Sequence, residues 1–136
     1  MTRIGLIADV HGDADTLKLA LHQLNVLGCD RVLWAGDLLG YGPKPTEVVT
    51  LVQERGIPCC RGNHDRWAVG RGKPEEPDEQ LEDCLFDAAG YGLSKKALMF
   101  LAALPPMVRA VVGDVSIAVV HGTPYRDMDG IVPGHY

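Results

Sequence analysis

The chain has 136 residues, with 13 Lys and Arg against 18 Asp and Glu, for a formal net charge of −5. Hydrophobic residues make up 46% and charged residues 23%, the balance of a globular domain, which excludes collagen-like, coiled-coil and wholly disordered chains. The acidic balance lacks the Lys/Arg excess that phosphate-backbone binding needs, so stable nucleic-acid binding is not expected. No apolar run reaches the ~20 residues of a membrane span.

The N-terminus runs straight into Ile4-Gly5-Leu6-Ile7-Ala8, a short apolar run that predicts a buried parallel strand rather than a signal peptide. A cytoplasmic location is the expectation. Asp13 or Asp15 can cap the next segment, a helix whose Leu17, Ala20, Leu21, Leu24 and Leu27 share one face and which Gly28 stops. Val32–Ala35 predicts a second strand, followed by the Gly/Pro loop Gly40–Pro45. Thr46–Arg55 is a second amphipathic helix, closed by Gly56. Ile57–Cys60 predicts a third strand. The resulting β-α-β-α-β order implies a parallel sheet. A polar loop spans Gly70–Asp78, and Glu79–Ala89 has helical periodicity. Ser94 can cap a helix running to Ala103. Two apolar runs, Val108–Val112 and Val115–Val120, then flank Gly113-Asp114, a two-residue hairpin signal for the start of a second, antiparallel sheet.

The four cysteines, Cys29, Cys59, Cys60 and Cys84, form no Cys-x-x-Cys and stand at no zinc-finger spacing, which points to buried free thiols.

The chemistry-bearing residues cluster where strands end. Asp9 and His11 follow the first strand and Asp37 the second. Asn63, His64 and Asp65 follow the third, and His121 follows the hairpin. In a parallel sheet the carboxyl ends of adjacent strands share one edge, where ligands bind. Each cluster alone is weak: Asp9 can simply cap a helix, and a lone histidine is more often structural than a ligand. Their joint placement is what carries weight. Asp, His and Asn together suit Mn²⁺, Fe or Zn²⁺ better than Ca²⁺. Two carboxylates with several imidazoles allow two metals sharing one carboxylate, an arrangement that clamps a phosphoryl group and activates water. A dinucleotide-binding module is poorly supported, because residues 5 to 12 hold no Gly-x-Gly-x-x-Gly.

Four stretches, Asp9-Val10-His11-Gly12, Gly36-Asp37-Leu38-Leu39-Gly40-Tyr41-Gly42-Pro43, Arg61-Gly62-Asn63-His64-Asp65 and Val120-His121-Gly122-Thr123-Pro124, resemble the motifs of the calcineurin-like metallophosphoesterases, in order and over nearly the whole chain. The loop after Gly36 is similar to that of the small bacterial and archaeal phosphodiesterase-like branch. The resemblance implies an α/β fold, an α-β-β-α sandwich, within a single domain over residues 1–136. It implies two divalent ions, Mn²⁺ first with Fe, Zn²⁺, Ni²⁺ or Mg²⁺ as alternatives, and hydrolysis of a phosphate mono- or diester by a metal-activated hydroxide. Asp9 and His11 would bind one ion, Asn63 and His121 the other, and Asp37 would bridge them. His64 would steady the scissile phosphate or protonate the leaving oxygen, and Asp65 would either orient His64 or cap the segment after it.

The family's last motif, Gly-His-x-His, has only Gly134-His135-Tyr136 as a counterpart. His135 is read as part of a preceding loop rather than as a ligand, and the domain as truncated at its C-terminus. The expected partner is a phosphorylated small molecule or nucleotide. Self-association through the uncovered hairpin is also expected, and a non-catalytic metal-binding remnant of the fold is the alternative function.

Overall fold

The structure, a computed structural model, describes residues 2–70 and 92–129. The expected loop beyond Gly70, the helix over 79–89, Cys84 and the terminal stretch with His135 lie outside the described residues.

Strand β1 (Ile4–Ile7) pairs in parallel with β2 (Arg31–Trp34), with Ile4 opposite Arg31 and Ile7 opposite Trp34. Between them runs helix α1 (Ala14–Val26), capped by Asp13, whose carboxylate accepts the Thr16 N–H at 2.9 Å. Asp15, the other cap candidate, instead pairs with Lys44 Nζ at 2.7 Å. Helix α2 (Pro45–Arg55) starts on a proline, whose missing N–H costs nothing in a first turn, and ends on Gly56 in the left-handed region. Short helix α3 (Asn63–Ala68) follows the third sheet segment, and α4 (Lys95–Ala103) is capped by the Ser94 hydroxyl. Strands β3 (Met107–Val112) and β4 (Val115–Val120) close an antiparallel hairpin around Gly113-Asp114 in full register.

Two expectations need correction. The third strand shrinks to a single parallel bridge, Trp34 opposite Cys59, carried by Trp34 N–H to Pro58 O at 2.9 Å and Cys60 N–H to Trp34 O at 3.0 Å. Pro58 has no N–H to extend the ladder. Leu27 does not join the apolar face of α1: it is the cap residue just past the helix and is 59% exposed, whereas Ala14, Leu17 and Leu21 are buried.

The main core joins Leu17 and Leu21 of α1, Val48, Val49 and Val52 of α2, and Leu101 of α4 to Ile7 and Trp34 of the first sheet. On the other side of that sheet Leu33, Cys60 and Val119 form a thinner core under the hairpin. Helices, first sheet and hairpin are thus three stacked layers, and no outer helix on the hairpin is found among the described residues. Cys59 and Cys60 are buried free thiols, and burial pushes Cys60 up to about 11. Among the described residues no helix is long and apolar enough to cross a membrane.

Leu17→Ala is expected to destabilise the protein by about 2–5 kcal/mol, the usual cost of a cavity in a closed core, while Leu27→Ala stays within about 0.5 kcal/mol. Urea unfolding of the two variants reads both.

Candidate metal centre

The parallel pairing of β1 and β2 continues beyond the strand ends as a zip between two loops. Asp9 N–H donates to Gly36 O at 3.2 Å, His11 N–H to Asp37 O at 3.1 Å and Gly12 N–H to Leu38 O at 2.8 Å. Within this zip Asp9, His11 and Asp37 have φ of 55°, 50° and 56°, and they are the only non-glycine residues at positive φ among those described. Such backbone costs of order 1–3 kcal/mol per residue and collects at functional sites. All three are residues that sequence reasoning assigned as ligands.

The side chains converge. His121 Nε2 lies 2.9 Å from Asn63 Oδ1 and 3.4 Å from Asp37 Oδ2. His11 Nε2 lies 3.8 Å from Asp37 Oδ2 and 3.8 Å from Asp9 Oδ1. Each imidazole is held from behind. His11 Nδ1 is 3.0 Å from Leu39 O and His121 Nδ1 is 2.8 Å from Ala35 O. Carbonyl oxygens only accept, so each Nδ1 carries a proton, and each Nε2 is turned toward the cluster, the orientation of a metal-ligating histidine.

Two groupings have ligand atoms all within 4.8 Å of one another: Asp9, Asp37 and His121, and His11, Asp37 and His64. Asp37 belongs to both. The donors are carboxylate and amide oxygens with imidazole nitrogens, without thiolate, and this set fits Mn²⁺, Fe or Zn²⁺. Asp37 is 2% exposed, and burial, with the Asp65 charge next in weight, raises its carboxyl to about 7. A group that resists ionisation so strongly is one that a cation would stabilise.

Asp65 is fully buried. Its carboxylate accepts backbone N–H bonds from Asp37 at 2.9 Å, Leu38 at 2.9 Å, Leu39 at 3.2 Å and Gly62 at 3.0 Å. These bonds run to the backbone rather than to the His64 ring. Burial raises this carboxyl while the N–H donors pull against it. The His64 N–H donates to Asp37 Oδ1 at 3.0 Å. Gly62 makes this approach possible, because a Cβ there would collide with that same Asp37 oxygen.

Sequence reasoning missed the aromatic seat of His64. Its ring centroid lies 4.7 Å from His11, 5.3 Å from Tyr41 and 5.0 Å from Trp67. Trp67 follows His64 by three residues on α3, a spacing that places both on one helix face. Desolvation, with the neighbouring histidines next, lowers His64 to about 4, so its ring is neutral at pH 7.

The family model for calcineurin-like phosphoesterases matches residues 2–132. A metallophosphoesterase crystal structure from Sphaerobacter thermophilus is 32% identical, superposes with a TM-score of 0.69, and is matched over 96% of this chain and 51% of its own. A protein of Pyrococcus horikoshii OT3 shares the fold with a TM-score of 0.80 at 21% identity, over 97% of this chain and 59% of its own. Among curated relatives, a symmetrical bis(5'-nucleosyl)-tetraphosphatase of Vibrio campbellii is 31% identical over 105 residues, which is 74% of this chain and 38% of that protein. The chain therefore spans little more than half of these solved structures, and its match covers 38% of that curated relative.

The shifted Asp37 carboxyl gives a signed expectation. Its folded value lies above the ordinary 3.8, so in metal-free protein its contribution to stability is full below about pH 4 and is lost as pH rises towards 7. Asp37→Asn should therefore gain stability relative to the parent over that range in EDTA, and lose that advantage once Mn²⁺ is added. Urea midpoints from pH 4.5 to 8 read the difference.

Proposed function

The chain belongs to the calcineurin-like phosphoesterase family, and on that footing we propose that it hydrolyses a phosphate mono- or diester at a dinuclear metal site formed by Asp9, His11, Asp37, Asn63 and His121. The observation that carries the reading is the position of the Asp37 carboxylate, common to the grouping with Asp9 and His121 and the grouping with His11 and His64, and faced by the Nε2 atoms of His11 and His121. Mn²⁺ is the proposed ion, with Fe, Zn²⁺, Ni²⁺ and Mg²⁺ as alternatives. Ions held there supply positive charge to the phosphoryl oxygens and the acidity that makes water a nucleophile near neutral pH.

The protein's own contributions follow from the geometry. The Leu39 and Ala35 carbonyls fix the ligand tautomers. Asp65 holds the Asp37 loop, and Gly62 lets the third segment close on it. His64, neutral at pH 7 and packed among Tyr41 and Trp67, is suited to donate an N–H to a phosphoryl oxygen, which favours steadying charge over protonating the leaving group. The substrate is a phosphorylated small molecule or nucleotide, and the names of relatives such as the Vibrio campbellii enzyme support the nucleotide. Self-association through the hairpin belongs to the same proposal, since Val111 and Val115 are 64% and 61% exposed on a sheet that has two strands, with open edges, among the described residues.

With Mn²⁺ present, the protein is expected to hydrolyse p-nitrophenyl phosphate or its bis ester. Asp37→Asn should reduce turnover to background. His64→Ala should slow it by about 10²–10⁴-fold with metal content unchanged, as measured by elemental analysis. Metal bound without turnover on either ester would favour the non-catalytic alternative. Loss of metal from His64→Ala would make His64 a ligand.

A further inference from the structure

Beside the metal centre one buried polar atom is left over. Arg61 Nε is the only buried side-chain nitrogen or oxygen among the described residues without a hydrogen-bond partner. The Arg61 backbone is held, its N–H donating to Pro105 O at 2.7 Å. A buried donor left unmatched is costly, and more so when it is charged. Such a group in a native site calls for an explanation, and a partner that arrives from outside supplies one.

The Arg61 side chain lines a cavity of about 330 Å³ together with His121, Pro124, Tyr125, Arg126 and Met128. His121 is shared with the metal centre, where its Nε2 meets Asn63 and Asp37, so the cavity adjoins the site through that one residue. The one carboxylate in its wall is already committed: Asp127 receives Arg66 Nε at 2.7 Å and Arg66 Nη2 at 3.2 Å. The wall therefore carries a positive charge at Arg61 with no ion-pair partner among the described residues, while Arg126, exposed at the rim, lies 3.9 Å from Asp129, in a protein whose net charge is −5. The Tyr125 ring, 92% exposed, stands on the same rim.

We propose that Arg61 is a specificity-determining residue, whose guanidinium binds the phosphoryl group adjoining the one attacked at the metal centre. The inference rests on the phosphoesterase reading and names its substrate class: molecules with a pyrophosphate linkage, in preference to simple monoesters. The planar guanidinium fork matches two phosphate oxygens at once, which a lysine ammonium does not.

The test uses the full chain with saturating Mn²⁺ and calorimetric titration of methylenediphosphonate against methylphosphonate. The parent is expected to prefer the diphosphonate by tenfold or more. Arg61→Gln should lose that preference, and Arg61→Lys should keep part of it. Pro124→Glu, an exposed change that puts a carboxylate at the cavity wall, should also weaken the diphosphonate selectively, and it guards against a folding defect in the Arg61 variants. ADP binding tighter than methylenediphosphonate assigns a nucleotide as the source of the linkage, and equal binding assigns the phosphate chain alone. Equal affinity of the parent for both phosphonates, or an undiminished preference in Arg61→Gln, overturns the proposal. An Arg61-dependent preference without hydrolysis of any ester would instead leave the anion site standing and remove the catalytic reading.

Discussion

The site depends on one fully buried carboxylate. Asp65 lies on α3, yet three of its four backbone hydrogen bonds go to residues 37, 38 and 39, which follow β2 some 26 to 28 positions earlier. The fourth returns to Gly62 in its own turn. A buried carboxylate is tolerable only when its lone pairs are filled, and here consecutive N–H groups of a tight loop fill them. The same bonds answer the loop's own difficulty, since buried N–H groups need acceptors and a left-handed Asp37 cannot find them in a regular ladder. Each side satisfies the other, and the result is that Asp37, Asn63 and His64 are held in one frame.

Much of the strand-end logic was legible in the sequence. Apolar runs ending in Asp9, Asp37, Asn63 and His121 announced a shared edge, and the caps at Asp13 and Ser94, the stop at Gly56 and the Gly113-Asp114 turn are where local side-chain chemistry puts them. The third strand was overread because apolar composition does not show that Pro58 interrupts the ladder. Leu27 was overread because helical spacing does not say where the helix stops. The bonds of Asp65 and the left-handed backbone at Asp9, His11 and Asp37 leave no periodic trace, since they arise from contacts between loops distant in sequence. Arg61 was visible only as part of a motif, and its unpaired Nε is a property of the folded packing around it.

Strain and charge at the centre act in the same direction. Three left-handed residues and a carboxyl raised to about 7 by burial are costs borne by the metal-free protein. The loop zip, the Asp65 bonds and the carbonyl braces behind His11 and His121 hold the arrangement against those costs. Ligand groups fixed before an ion arrives lose little entropy on binding it, so preorganisation favours affinity and a defined geometry together.

The order of these parts along the chain gives the site a timetable. Asp9, His11, Asp37, Asn63 and the bracing Asp65 all lie in the first 65 residues, whereas His121 comes from the hairpin, 58 positions after its partner Asn63. A growing chain emerges from the ribosome N-terminus first, at about 5–20 residues per second. For the seconds before the hairpin appears, the nascent chain can zip the first two loops and seat Asp65, but it exposes Leu33 and Cys60 without their cover by Val119. The arrival of β4 therefore delivers the last of the five assigned ligands and shields that apolar patch in one event, so the nascent protein cannot complete this ligand set before it has closed its second core.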